Sequence, residues 1–201
     1  MLLNNEEQTN NVEGPRKEDP RVVRTRQLIQ QAFIDLFYEK SFEEITIQEI
    51  ADRATINRVT FYAHFQDKFA LLEYTLREMI RQHIYEQLPE GVQFSPENLA
   101  LLILTVCEFL AEIRHTCPPP HDQMEALMEK QIKSELYEIL HSWLIEISVS
   151  DPNPGPTLEQ TARVTSWAIY GAAAQWMLEK REKSVHEYVE QVLPLILKFA
   201  E

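Results

Sequence analysis

Residues 45–65 read ITIQEIADRATINRVTFYAHF, and the two short helices written there decide how the rest of the chain is read. Thr46 is an N-cap with Glu49 three residues on, a capping box in which each side chain satisfies an orphan backbone N–H of the other. Ile47, Ile50, Ala51 and Ala54 recur at helical spacing, and this helix ends near Arg53. Thr55 and Ile56 make a tight connection. Asn57 then caps a second short helix to about His64, with Phe61 and Phe65 turned inward. Two short capped helices joined by so brief a turn make a helix-turn-helix. Asn57, Arg58, Thr60, Tyr62, Ala63 and His64 are left toward solvent. That face carries donors and acceptors rather than the Glu/Lys mixture of a merely solvated helix. Arg58 can reach guanine O6/N7 or a phosphate, and Asn57 and Thr60 can bond to either. Other readings of these residues stay open: Tyr62 as a core aromatic, His64 as a plain surface histidine, the hairpin as a purely structural element.

Working outward, the apolar spacing predicts helices throughout. Only four glycines occur, and the turn chemistry of β-proteins is missing. Asp19 caps and Pro20 opens a first helix to about Lys40, with Ile29, Ala32, Phe33, Leu36 and Phe37 on one face. A fourth helix starts near Asp67, with Phe69, Leu72, Leu76, Met79 and Ile80 as its stripe, and ends before Pro89. Ser95 and Pro96 repeat the cap-then-proline signal. Residues 97–114 follow, apolar nearly all round, as suits a helix at the centre of a bundle. Residues 117–120, CPPP, break the chain before a long helix of about residues 121–149. The loop DPNPGP at 151–156 precedes a capping box at Thr157 and Gln160, and Ser184 with Glu187 opens the last helix, in which Pro194 removes one hydrogen bond.

The string from Thr46 to Leu72 resembles the signature of the TetR/AcrR family of transcriptional regulators. Thr60, Phe61, Tyr62, His64, Phe65, Lys68 and Leu72 match that family's T-F-Y-x-H-F-x-D-K-x-x-L-L core, and the likeness extends over residues 21–82. SWAIYGAAAQWMLEK at 166–180 is similar to the penultimate, dimerising helix of one branch of the family. The resemblance implies an all-α protein of about nine helices: a disordered arm over 1–19, a three-helix DNA-binding domain over 20–66, a linking helix over 67–88, and a helical-bundle ligand-binding and dimerisation domain over 89–201. It also implies site residues. Thr46 would meet phosphate; Arg58, Thr60, Tyr62 and His64 would lie in or beside the major groove; Lys68 would hold phosphate at a helix N-terminus; Arg24 and Arg26 would reach adjacent backbone. Two positions depart from the pattern. Thr55 stands where the family usually has Gly, so a left-handed turn would be strained. Val59 stands where a small residue is common, a change expected to alter groove contacts.

For the body, the expected partners are a second copy, a palindromic double-stranded operator and a small-molecule effector. The seam is expected at Trp167, Ala168, Gly171, Ala172, Ala174 and Gln175, with Val189, Val192, Leu193 and Ile196 from the last helix. The effector is expected among Phe109, Ile113, Met124, Met128, Tyr137, His141, Trp143 and Trp167, residues that would look the same in a filled core. Glu108 or Glu112 would select a cationic ligand if either faced inward.

The net charge is −13, which is unusual for a DNA binder, but its distribution matters more. Residues 20–81 hold nine Lys/Arg against nine Asp/Glu, whereas residues 82–201 hold eight against eighteen. A neutral head on an acidic body would be repelled from DNA in every orientation except head-first. No apolar run reaches membrane-spanning length, no signal peptide opens the chain, and a cytoplasmic protein is expected. Catalysis, a cofactor and a metal are not expected: no Gly-rich phosphate loop, no G-x-S-x-G and no paired Cys/His spacing occurs. Two other function classes remain: a redox-responsive regulator through Cys107 and Cys117, and a helix-turn-helix scaffold used for protein interaction alone.

Overall fold

The computed structural model describes residues 19–88, 91–116, 122–148, 157–179 and 184–200. The arm over residues 1–18, Cys117, the prolines after it and the 151–156 loop lie outside them. The described residues form eight α-helices and no strand, against the nine or so expected. They group into two compact units, Met1–Gln66 and Asp67–Glu201.

The first unit holds α1 (Pro20–Glu39), α2 (Ile47–Arg53) and α3 (Arg58–His64). The Asp19 carboxylate accepts the Arg21 N–H at 2.8 Å, capping α1 where Pro20 has no N–H to satisfy. Ile29, Phe33, Ile45, Ile50, Ala51 and Phe61 make its core, each at most 2% exposed. Phe33 meets the edge of Phe42 at right angles, with ring centres 6.1 Å apart. Polar clamps reinforce the packing at the surface. Arg53 donates to both carboxylate oxygens of Glu39, at 2.5 and 2.9 Å, tying α2 to α1.

The second unit holds α4 (Lys68–Gln87), α5 (Pro96–Thr116), α6 (Asp122–Ser148), α7 (Leu158–Leu178) and α8 (Val185–Ala200). α5 is the central helix and packs against α4, α7 and α8. Leu99, Leu102, Ile103, Val106 and Cys107 are buried at most 2% exposed, whereas Glu108 and Glu112 face solvent. No carboxylate of α5 therefore points inward to choose a cationic ligand. The buried stripe of α4 is Leu71, Leu72, Thr75, Leu76, Ile80 and Ile84. Phe69, expected in that stripe, is half exposed, and Leu71 takes the place inside.

A polar ladder joins α4 to α6. Glu73 accepts from Lys130 and from Gln131, both at 2.8 Å, and Arg81 donates to Glu135 at 3.3 Å. Gln131 and Glu135 are nearly fully buried, so each rung satisfies a polar group that would otherwise be costly to leave unmade. The Lys130 hydrogen bond holds the Glu73 carboxyl below its ordinary range. α8 runs through Pro194, which is exposed, to Ala200. No helix among the described residues is long and apolar enough to cross a membrane.

Candidate nucleic-acid interface

The capping box opening α2 forms as the spacing requires. The Glu49 N–H donates to Thr46 Oγ1 at 3.3 Å, and the Glu49 carboxylate accepts the Thr46 N–H at 3.0 Å and its hydroxyl at 2.7 Å. Lys40 closes on the same carboxylate from the end of α1. The Lys40 hydrogen bond, followed by those from Thr46, holds the Glu49 carboxyl down at about 2. Both donors of Thr46 are thus already engaged within the protein. A phosphate at this position must compete with Glu49 for them.

The turn into α3 keeps a left-handed residue although glycine is missing. Thr55 has φ 56°, the one positive φ at a non-glycine among the described residues. Its N–H donates to Asp52 O at 3.1 Å, and the Ile56 N–H donates to Ala51 O at 2.9 Å. This pair of bonds is a Schellman closure, with Thr55 at the position glycine normally fills. The hydrogen bonds and the burial of Phe61 outweigh the strain of a β-branched residue there.

α3 then presents one face inward and another outward. Phe61 is fully buried, and its ring centre lies 5.9 Å from that of Phe65. Asn57 Oδ1 accepts the Thr60 N–H at 2.7 Å and the Thr60 hydroxyl at 3.0 Å, which fixes both side chains at the cap. Arg58 and Ala63 are exposed, and Tyr62 is 48% exposed, so the core reading of Tyr62 falls away. The Tyr62 ring stands edge-on to Phe61 at 5.6 Å, which holds it upright on the surface. His64 and Lys68 are half-buried, as is Arg26, and all three already have contacts within the protein; Arg24 is exposed.

The departure from the family pattern at Val59 falls on this same face. Val59 is 78% exposed, and it stands beside Arg58 and one turn from Tyr62 and Ala63. An apolar side chain on the outer face of such a helix is of the kind that can pack on a thymine methyl. A helical wheel anchored on Phe61 and Phe65 turns position 59 outward.

In the second unit, the residues expected around an effector divide. Phe109, Met128 and Trp143 are buried in packed core, and Ile113, Met124, Tyr137 and His141 are half-buried. Trp167 is 60% exposed. Of the expected seam, Gly171 and Gln175 are exposed and Ala168, Ala172, Ala174, Val192 and Leu193 are half-buried. Val189 and Ile196 are buried by the chain's own helices, at 6% and 3% exposure. Cys107 is fully buried, and burial, aided by the charge of Glu108, pushes its thiol up to about 12. A thiol so rarely ionised is inert, which removes support from a redox role at this residue; Cys117 lies outside the described residues. Among the described residues no cluster of His, Cys, Asp and Glu could hold a metal ion.

Residues 29–75 match the model for bacterial regulatory proteins of the tetR family. The uncharacterized HTH-type transcriptional regulator YxbF of Bacillus subtilis (strain 168) is 44% identical over 62 residues, which are 30% of this chain and 16% of that protein. This chain therefore spans less than a fifth of that relative's length. Among solved structures, FadR from Bacillus subtilis in complex with stearoyl-CoA is 20% identical, with 85% of this chain and 96% of that one covered and a TM-score of 0.52. FadR from Thermus thermophilus, a repressor in complex with lauroyl-CoA, is 22% identical, with 86% and 93% covered and a TM-score of 0.51. At these identities the likeness is one of fold.

Proposed function

We propose, from the premise that the chain belongs to the tetR family of bacterial regulatory proteins through its N-terminal domain, that it is a DNA-binding regulator of transcription that reads a palindromic operator as a homodimer. The observation that carries this reading is the outer face of α3. Arg58, Val59, Tyr62 and Ala63 stand exposed on a short helix whose opposite face is locked into the core by Phe61 and Phe65. Such a face offers a guanidinium for guanine, a hydroxyl for a base edge or phosphate, and a methyl surface for thymine. Thr60 sits at the cap with Asn57, and Arg24, Lys68 and Thr46 are the candidates for backbone phosphates.

One such helix gives modest affinity, and a two-fold pair reads two half-sites about 34–36 Å apart or a multiple of that. The proposed seam is the outer face of α7 together with the end of α8. Val164 and Leu178 are 50% and 68% exposed, with Gly171 between them on the same face, and Leu195 and Phe199 of α8 are 58% and 51% exposed. A run of apolar groups at that spacing calls for a partner surface. Val189 and Ile196 support the seam from within the protomer.

The output we favour is repression, relieved when a small-molecule effector binds the helical body and favours one disposition of α4. The two FadR proteins hold acyl-CoA in the same fold, which supports a ligand-responsive body here. The test is selection from duplexes with a randomised central segment. Recovery of an inverted repeat, bound by wild type and lost with Arg58→Ala, supports the reading; no enrichment over bulk duplex overturns it.

A further inference from the structure

The second unit is acidic, yet three of the eight lysines and arginines in residues 82–201 line a single groove between α6 and α7. They are Lys130, Lys133 and Arg163, and the groove, open to solvent, has a volume of about 610 Å³. That volume lies within the roughly 300–1,000 Å³ of small-molecule sites. Two carboxylates, Glu129 and Glu138, share the lining, and Lys130 also donates to Glu73 of α4, so cations and carboxylates balance around this groove in a chain of net charge −13.

Aromatic rings lie under two of these cations. Lys133 Nζ sits 4.5 Å from the centre of the Trp167 ring and 5.7 Å from that of Tyr170. Glu129 accepts from the same ammonium at 2.6 Å. The Arg163 guanidinium lies 5.1 Å from the centre of the Tyr137 ring. His141 stacks on Tyr137, with 10° between the planes and 5.3 Å between the centres, which holds that ring in place. Trp167 remains 60% exposed despite these neighbours, whereas Trp143 and Trp176 are buried.

This chemistry selects among ligands. The places over the ring faces that a cationic ligand would seek are held by the chain's own Lys133 and Arg163. A purely apolar ligand would have to strip water from two cations without compensating them. A flat ring bearing a negative group meets both demands: it packs against the exposed part of Trp167, and its charge answers Lys133 and Arg163.

We propose that the groove between α6 and α7 is a binding site for a small aromatic carboxylate. The ring packs against Trp167, and the carboxylate is held by Arg163 and Lys133. Binding to this groove does not require that the chain bind DNA, so the two readings fail separately.

The experiment titrates the full chain with 2-naphthoate by calorimetry, with 2-naphthamide as the neutral isostere. Saturable binding of the acid is expected, weaker by at least about tenfold for the amide and for Arg163→Gln, the order of one charge-assisted hydrogen bond. Arg163 is exposed, and an unchanged thermal unfolding curve certifies the variant's fold. Absence of saturable binding, equal binding of acid and amide, or undiminished binding by Arg163→Gln overturns the proposal. So does finding Trp167 shielded from acrylamide in the dimer and open only on dilution, which would make a second copy the occupant.

Discussion

Arg58 Nη2 donates to the hydroxyl of Tyr62 at 3.3 Å, and the guanidinium lies 5.9 Å from the centre of that ring. The two residues are one helical turn apart on the exposed face of α3, so the ring holds the arginine along the helix surface. Arg58→Ala should weaken binding to the selected operator by about 1–3 kcal/mol, as expected for loss of one bidentate base contact. Tyr62→Phe should weaken it less, because the ring remains. Neither should move the unfolding midpoint, since both side chains are exposed. Fluorescence anisotropy at fixed salt measures the first effect and thermal unfolding the second.

Thr55 carries the left-handed turn of the helix-turn-helix at φ 56°. Thr55→Gly should remove a strain of about 1–2 kcal/mol while making the unfolded chain freer by about 0.4–1 kcal/mol, leaving a net gain near 0.5–1 kcal/mol. Thr55→Val, which keeps the branching and loses the hydroxyl, should show no gain. The shift of the denaturant midpoint at unchanged slope, followed by a probe in the first unit, decides it.

Glu49 gives the first unit a predictable response to acid. Its folded value is about 2 against an ordinary 4.5, chiefly because Lys40 and then Thr46 donate to the carboxylate. A lowered folded value means that the group's contribution is fully present above pH 4.5 and is lost as pH falls from there through about 2. In a carboxyl-detected NMR titration, Lys40→Gln should move the Glu49 midpoint back toward 4.5, because it removes the largest cause. A midpoint that stays near 2 in that variant would assign the effect to the capping box alone.

The exposed apolar face of α7 makes the proposed dimer testable without DNA. Val164→Glu combined with Leu178→Glu should turn the dimer into a monomer in light scattering at micromolar concentration, with helix content unchanged. Both positions are at least half exposed in the single chain, so the charges are tolerated by the monomer and buried only in the dimer. A double variant that stays dimeric would place the seam elsewhere.

Much of this molecule could be read from local chemistry. The caps at Asp19, Thr46, Asn57, Asp67 and Thr157 set helix starts, because a side-chain oxygen beside orphan N–H groups is a short-range signal. The inward anchors Phe61 and Phe65 followed from spacing alone, and with them the outward face of α3. What depends on long-range packing was not legible. Phe69 and Leu71 are both apolar and two positions apart, and only the helices around α4 decide which one is buried. Likewise Val189 and Ile196 read as a seam, since an apolar stripe does not say whether its partner lies in the same chain or in a second one. The α6–α7 groove was missed as a unit, because Lys133 meets Trp167 across thirty-four positions of sequence.

The central claim is that the exposed face of α3 reads base edges in the major groove. Its most direct test is guanine N7 methylation interference on the selected operator, comparing wild type with Arg58→Ala. The account predicts interfering guanines at two-fold-related positions, one cluster per half-site, with the strongest of them silent in the variant. Interference confined to no particular guanine, or a pattern identical in the two proteins, would contradict it.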